Sequence, residues 1–370
     1  MGLGVAFVNL PPVLPSLKEF YHTDNARIAF LVSSLVLAHG FVQIPAGMIT
    51  DSIGVKKTLL MSLALLFFSN LACMFNLDYG FVLTMRLFSG VGTGFAFASG
   101  IKYASVFTSD RHRGMMQGFF GGSFSIGGVM PFFVMPSLML IDMRLIFLVT
   151  ALFYVIPFAM LLIWGKEVKT KSAVKLAHFK PVFQDKAIWV LGLLHAVFFG
   201  GVVTLGTWFS AFAVHADPGL SLKLAGIWGA LIMFISGLAR FIGGGLLMKF
   251  LPVKIILYSF SLLLLSYILL VLTDNFMILI ILYCLAAFMS SVTFGPIFYL
   301  SSVISKMELA ATGFGIVNFI ANLGSLVWPV IFGYFIDVTG NYSVSFLFMG
   351  ALVCSGISMT FWLKRLHVST

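Results

Sequence analysis

The chain has 370 residues, 60% of them hydrophobic and 9% charged, with a net charge of +10. Soluble domains carry about 25% charged residues, so this composition excludes a water-facing globular surface and makes lipid the solvent for most of the chain. The positive balance does not call for a nucleic-acid partner, because the placement of the basic residues along the chain accounts for it.

Met1 is followed at once by the apolar run Gly2 to Leu10, with no basic region ahead of it. That excludes a secretory signal and reads as a first, truncated helix joined part-way along its length. Apolar runs parted by polar breaks predict twelve spans: 1–17, 27–50, 57–76, 79–107, 114–138, 144–165, 187–214, 223–248, 253–272, 275–304, 309–337 and 343–363. In hydrocarbon the backbone must satisfy its own polar groups, so runs this long are helices. The expected fold class is therefore all-α and integral to the membrane. Asn9 with Pro11, Pro12 and Pro15 breaks span 1, and Gly295-Pro296 breaks span 10. Gly90, Gly92 and Gly94, like Gly243 to Gly245, read as places where helices pack closely. Cys73, Cys284 and Cys354 lie in apolar runs without metal-ligand spacing and read as small buried hydrophobes.

A basic linker over 167–186 separates a first six-helix bundle (1–166) from a second (187–370). If the chain starts inside, 15 of the 22 Lys and Arg residues fall in cytoplasmic loops and 4 in outer ones. This bias puts both termini in the cytoplasm of a multi-pass cell-membrane protein. Arg86, Lys102 and Arg240 remain inside spans.

Between spans 2 and 3 the chain reads Gly47-Met-Ile-Thr-Asp51-Ser-Ile-Gly54-Val-Lys56-Lys57. This resembles the loop signature of the major facilitator superfamily. Arg86-Leu-Phe-Ser-Gly90 in span 4, Asp110-Arg111-His112-Arg113-Gly114 before span 5, and Gly333 to Gly340 at the end of span 11 are similar to that family's patterns at those places. Arg240-Phe-Ile-Gly243-Gly244 is similar to the lead-in to a second copy, which decays: Met248 and Leu251 stand where its Asp and Gly would be. The resemblance covers essentially the whole chain. It implies two six-helix bundles around a central cavity, moving a small solute by alternating access. Asp51 would then act as a latch, with Lys56, Lys57 and Arg113 as candidate partners and Gly47 and Gly54 allowing the turn.

A charge inside a span is expensive and marks a functional site by default. All 12 acidic residues fall in loops or at span edges. The spans thus hold Arg86, Lys102 and Arg240 without a carboxylate, which points to an anionic substrate, organic or inorganic. Each of the three also has a blander reading, as a snorkelling, carbonyl-bonded or gating residue. A coupling proton has His39 and His195 as its titratable candidates, and each also reads as a hydrogen-bonded interior histidine. In the family, spans 1, 4, 7 and 10 line the cavity. That adds Asn9, Trp208 and Tyr299 to the candidate substrate-binding residues, with Asn318 and Asn322 from one face of span 11.

Alternatives are a proton-coupled antiporter of drugs or neutral metabolites and a membrane sensor that binds without moving solute. Ser123-Phe124 stands where drug antiporters carry Gly-Pro, which counts against the first. Nitrate porters place an arginine in span 2 shortly before the loop signature, where this chain reads Gln43-Ile-Pro45-Ala-Gly47, although Arg240 resembles their other one. On that ground nitrate ranks behind other small anions. Neither HExxH nor GxSxG occurs, so an enzyme, a metal site or a cofactor is not expected. The expected partners are the solute and the bilayer, with the chain as a monomer.

Overall fold

The computed structural model describes residues 1–23, 25–167, 179–220 and 222–365. Lys169, Lys171 and Lys175 of the predicted linker, and Asp24, lie outside the described residues. Among the described residues all regular structure is helical.

The first span is broken where the prolines require it. Pro11 and Pro12 lack the N–H groups that would bond the carbonyls of Phe7 and Val8. Helix α1 (Gly2–Val8) accordingly stops at Asn9, a 3-10 turn covers Pro11–Val13, and α2 (Leu14–Phe20) resumes the course. Helices α3 (Asn25–Ile53), α4 (Val55–Phe75), α5 (Tyr79–Val106) and α6 (Asp110–Ile141) follow. The sixth span, predicted as continuous, divides into α7 (Met143–Leu152) and α8 (Val155–Trp164). Pro157 explains the division, because it leaves the Phe153 carbonyl without its helical donor.

A short α9 (Lys180–Gln184) precedes α10 (Lys186–Ala216), α11 (Leu222–Leu246) and α12 (Pro252–Leu272). The tenth span is broken at Thr293 into α13 (Phe276–Val292) and α14 (Phe294–Ile304), before α15 (Ala310–Thr339) and α16 (Ser343–Arg365). Pro296 removes the donor for the Val292 carbonyl, as the Gly295-Pro296 signal predicted. Among the described residues eleven helical segments are long and apolar enough to cross a bilayer, and the first span is a shorter, broken piece.

Side chains at the span edges cap the helices. Asp78 accepts from Phe81 N (3.1 Å), Asp142 from Arg144 N (2.8 Å), Asp185 from Ala187 N (2.9 Å) and Asn275 from Ile278 N (3.2 Å). Each satisfies one orphan N–H of a helix start. Large apolar side chains such as Leu140 (87% exposed), Phe75 (79%) and Phe133 (73%) face outward, which suits lipid and not water.

The chain packs into two compact units. One holds Met1–Phe107, Ser123–Lys180 and Met307–Gly315; the other holds Thr108–Gly122, Pro181–Lys306 and Ile316–Thr370. The first unit has a core of Val5, Leu10, Val13 and Leu17 against Ile28, Leu31, Ile146 and Phe147. Within it α5 lies tight on α3: a Cβ on Gly90 would meet the Leu35 carbonyl, and one on Gly94 the Val42 side chain. The second unit is centred on aromatic contacts, with Tyr283 against Phe209 and Phe212 (5.1 Å each) and Phe346 against Phe212 (5.4 Å).

Candidate functional site

In the first unit the loop signature is resolved residue by residue. Gly54, between α3 and α4, has φ +107°, which favours glycine. Beyond it, Glu167 accepts from Lys56 N (3.1 Å) and Lys57 N (3.0 Å), capping the start of α4. The Lys56 ammonium donates to the carbonyls of Leu162 (3.2 Å) and Gly165 (2.9 Å) at the end of α8, where the helix dipole favours a cation.

Asp51, in the last turn of α3, is 2% exposed. Its carboxylate accepts from the Lys102 ammonium of α5. It also accepts from Ala311 N (3.3 Å), Thr312 N (2.8 Å) and Thr312 Oγ1 (2.6 Å) at the start of α15. The Lys102 ammonium completes its contacts on the Glu308 carbonyl (2.9 Å). A carboxylate set on the first N–H groups of a helix satisfies orphan donors and opposes the dipole. Gly47 permits this approach, since a Cβ there would run into the backbone of Ala311.

The sequence offered Lys56, Lys57 and Arg113 as partners of Asp51; the structure gives Lys102 and the α15 start. Lys102 is correspondingly spent on the carboxylate, and one acidic residue assigned to a span edge is a buried counter-charge after all. Arg113 pairs instead with Asp110 in the first turn of α6.

Arg86 is also fully engaged. It donates from Nε to Leu31 O (2.9 Å), from Nη2 to Val32 O (3.1 Å) and from Nη1 to Asn9 Oδ1 (3.0 Å), and Asn9 Nδ2 donates to Thr150 Oγ1 (3.3 Å). Arg86 thus ties α3, α5, α7 and the break in span 1 together, and Asn9 is its partner. His39, on α3, lies between Thr93 Oγ1 (3.1 Å from Nδ1) and Gln43 Nε2 (2.7 Å from Nε2), with the rings of Phe7 and Phe97 edge-on.

In the second unit the broken tenth span positions an aromatic wall. Phe294, the first residue of α14, lies under the Arg240 guanidinium at 4.9 Å. Arg240 Nη1 donates to the Gly121 carbonyl (3.2 Å). His195 of α10 meets Phe294 (5.8 Å), Phe298 (5.2 Å) and Phe199 (5.7 Å). It lies within electrostatic range of Arg240. The residue is 3% exposed, and both ring nitrogens are without a hydrogen-bond partner among the described residues. Buried polar groups are rarely left so, and this one sits beside a buried cation.

The remaining candidates take lesser places. Trp208 donates its indole N–H to the Pro329 carbonyl (2.9 Å) and packs on Phe332, joining α10 to α15. Asn322 donates to the Asn318 carbonyl one turn back (2.7 Å), and both are buried. Tyr299 is half-buried on α14. Thr93, Thr150, Thr312, Glu167 and Phe294 carry contacts that sequence reasoning did not single out. Thr312 alone had a signal, a hydroxyl at the predicted start of span 11.

A family model described as Major Facilitator Superfamily matches residues 1–329. The chain is 26% identical over 357 residues to the nitrite extrusion protein of Bacillus subtilis (strain 168), covering 92% of this chain and 86% of that protein. It is 24% identical over 352 residues to a probable nitrate transporter, NarT, of Staphylococcus haemolyticus, covering 93% and 89%. Among solved structures the human organic anion transporter MFSD10 superposes with TM-score 0.81 at 15% identity, covering 97% of both chains. That last likeness concerns the fold alone.

Proposed function

The chain belongs to the Major Facilitator Superfamily of transporters, and from that premise we propose that it carries a small inorganic anion of the nitrate and nitrite class across the cell membrane. The observation that carries this reading is that Arg240 and His195 lie against the same ring, Phe294. The guanidinium supplies a fixed charge and a planar set of donors suited to an oxyanion, and the imidazole supplies ring nitrogens without a hydrogen-bond partner among the described residues. Phe294, Phe298 and Phe199 make the surroundings apolar, which strengthens a charge-assisted hydrogen bond. Tyr299, Asn318 and Asn322 are the further lining residues from the same unit. The names of the relatives point the same way, and they bring nitrate forward despite Gln43.

Bundles 1–166 and 187–370 are the moving parts, with the chain working as a monomer and both termini cytoplasmic. The Asp51, Lys102 and Thr312 cluster is the latch of one end state, supported by Gly47, Gly54, Lys56 and Lys57.

The test is thermal stabilisation of the purified protein by nitrate, nitrite, formate, sugars and lipophilic cations. A ligand at a hundred times its Kd stabilises by about 2.7 kcal/mol. Nitrate or nitrite should stabilise, and Arg240→Ala should lower the affinity roughly ten- to a hundredfold, about 1.5–3 kcal/mol of binding free energy. Stabilisation by sugars or cations alone would sink the anion reading.

A further inference from the structure

We propose that Gly201, Tyr267 and Ser290 form a binding site for one buried water molecule in the second unit, at the seam of α10, α12 and α13. The water bonds α12 to α13 three residues ahead of the break in span 10.

Two hydroxyls define the site. Tyr267 on α12 is 1% exposed and Ser290 on α13 is 3% exposed. The two lie close to one another, yet no hydrogen bond closes between them or to any other described group. Polar neighbours are committed elsewhere. The Ser291 hydroxyl pairs with that of Ser236 (2.6 Å), and the Tyr283 hydroxyl donates to the Leu205 carbonyl (2.8 Å). The Thr293 hydroxyl donates to the Ser290 carbonyl (3.2 Å) and so does not serve its side chain. The Tyr267 ring stacks against Phe346 (6.3 Å), which holds its hydroxyl in place. Leaving such groups unmade forfeits their solvation, and buried hydroxyls in folded proteins find a partner in protein or ordered water.

Gly201 supplies the room. Other glycines of this unit are needed for close contact: a Cβ on Gly192 would run into Ile320, one on Gly200 into Trp328 and one on Gly243 into the Val292 backbone. A Cβ on Gly201 would meet nothing outside its own helix nearer than 3.6 Å. At that distance lie the Tyr267 hydroxyl, the Ser290 hydroxyl and the Met349 methyl. Packing therefore permits alanine here, the better helix former, and the space beside this glycine is polar on two sides.

Water is the ligand whose chemistry matches. Each hydroxyl offers one hydrogen and accepts others, so its partner must be able both to donate and to accept. Two polar partners suffice to hold a buried water. A bare anion could only accept and would enter a low-dielectric place without a counter-charge. Two hydroxyl oxygens are too few for a metal cation, and among the described residues no cluster of His, Cys, Asp and Glu could hold one. The competing arrangement is a direct bond between Tyr267 and Ser290 after a small shift. It leaves the methyl of an alanine harmless, so the two arrangements predict opposite effects at Gly201.

Thermal denaturation of the purified protein in detergent separates them. Gly201→Ala fills the space and strands both hydroxyls, and the melting temperature should fall by about 2–4 °C. Gly201→Ser brings a hydroxyl to the same place and should recover at least half of that loss, although serine is the poorer helix former. In a Tyr267→Phe, Ser290→Ala background no hydroxyl remains to strand, and Gly201→Ala should be neutral or stabilising. If that background does not fold, the order of serine above alanine decides. X-ray radiolysis, which oxidises side chains beside bound water, gives an independent readout by mass spectrometry. Tyr267 should be oxidised in the wild type despite its burial and protected in Gly201→Ala. A Gly201→Ala variant as stable as the wild type or more so, or a Tyr267 that resists oxidation in the wild type, would overturn the water site in favour of the direct bond.

Discussion

Removing one member of a buried ion pair strands the other in a medium that solvates it poorly, so single losses exceed the worth of the pair. Asp51 and Lys102 meet this condition at 2% and 4% exposure. Asp51→Asn or Lys102→Met alone should destabilise by about 3–5 kcal/mol, and the double variant by clearly less than the two together. Thermal denaturation in detergent, arranged as a double-mutant cycle, measures this; additive losses would show that the contact carries no coupling. Arg86 belongs to a different class, since its hydrogen bonds run to Asn9 and two carbonyls. Arg86→Lys cannot reproduce that planar fork and should lower the yield of folded protein while leaving the anion affinity of what folds within a factor of about 2–3. The buried cations could be read from the chain because charge in an apolar run is conspicuous. Their partners could not, because Asp51 and Lys102 are 51 positions apart on separate helices and only the packing of α3 on α5 sets their distance. The lysines near Asp51 in sequence were the natural guess, but the Lys56 ammonium goes to carbonyls and the backbone N–H groups of Lys56 and Lys57 go to Glu167.

Helices in lipid gain little from hiding apolar surface from one another, so close approach of backbones decides which of them pair. Gly90 and Gly94, one turn apart on α5, make that approach to α3. Gly90→Ala or Gly94→Ala should cost about 1–3 kcal/mol through forced separation, and the same change at Gly245, which has open space around it, should cost far less. Denaturation midpoints compare the three; equal losses would refute the packing argument. The break in span 10 is the other element with a stated job. Pro296→Ala restores a donor for the Val292 carbonyl, straightens α13 into α14 and turns Phe294 away from Arg240. Anion affinity should fall while the melting temperature holds or rises. Span ends were readable within a few residues, because Asp78, Asp142, Asp185 and Asn275 stop apolar runs and cap the next helix. The division of span 6 was not, since Pro157 sits alone in an unbroken apolar run, as do Pro45 and Pro329, which their helices absorb.

For the whole molecule, the distribution of charge makes a statement that packing does not. Net charge +10 in a chain with 9% charged residues is a large bias, and 15 of its 22 basic residues fall on one side of the alternating spans. Basic loops resist transfer across the bilayer during insertion, while acidic ones matter little. The loop joining α11 to α12, with Lys249 and Lys254, should therefore face the cytoplasm, and the loop joining α12 to α13, with Asp274, the outside. Cysteines placed singly at Lys249 and Asp274, in a chain whose Cys73, Cys284 and Cys354 are replaced by serine, report this with a membrane-impermeant maleimide. Labelling of Asp274→Cys in intact cells, and of Lys249→Cys only after the membrane is opened, is the expected outcome. The orientation so tested also assigns a side to the proposed latch, because Asp51 lies in the last turn of α3, next to the start of α4 with Lys56 and Lys57. The reverse pattern would place the latch at the outer face, where Asp51→Asn would release entry of the anion in place of its delivery to the cytoplasm.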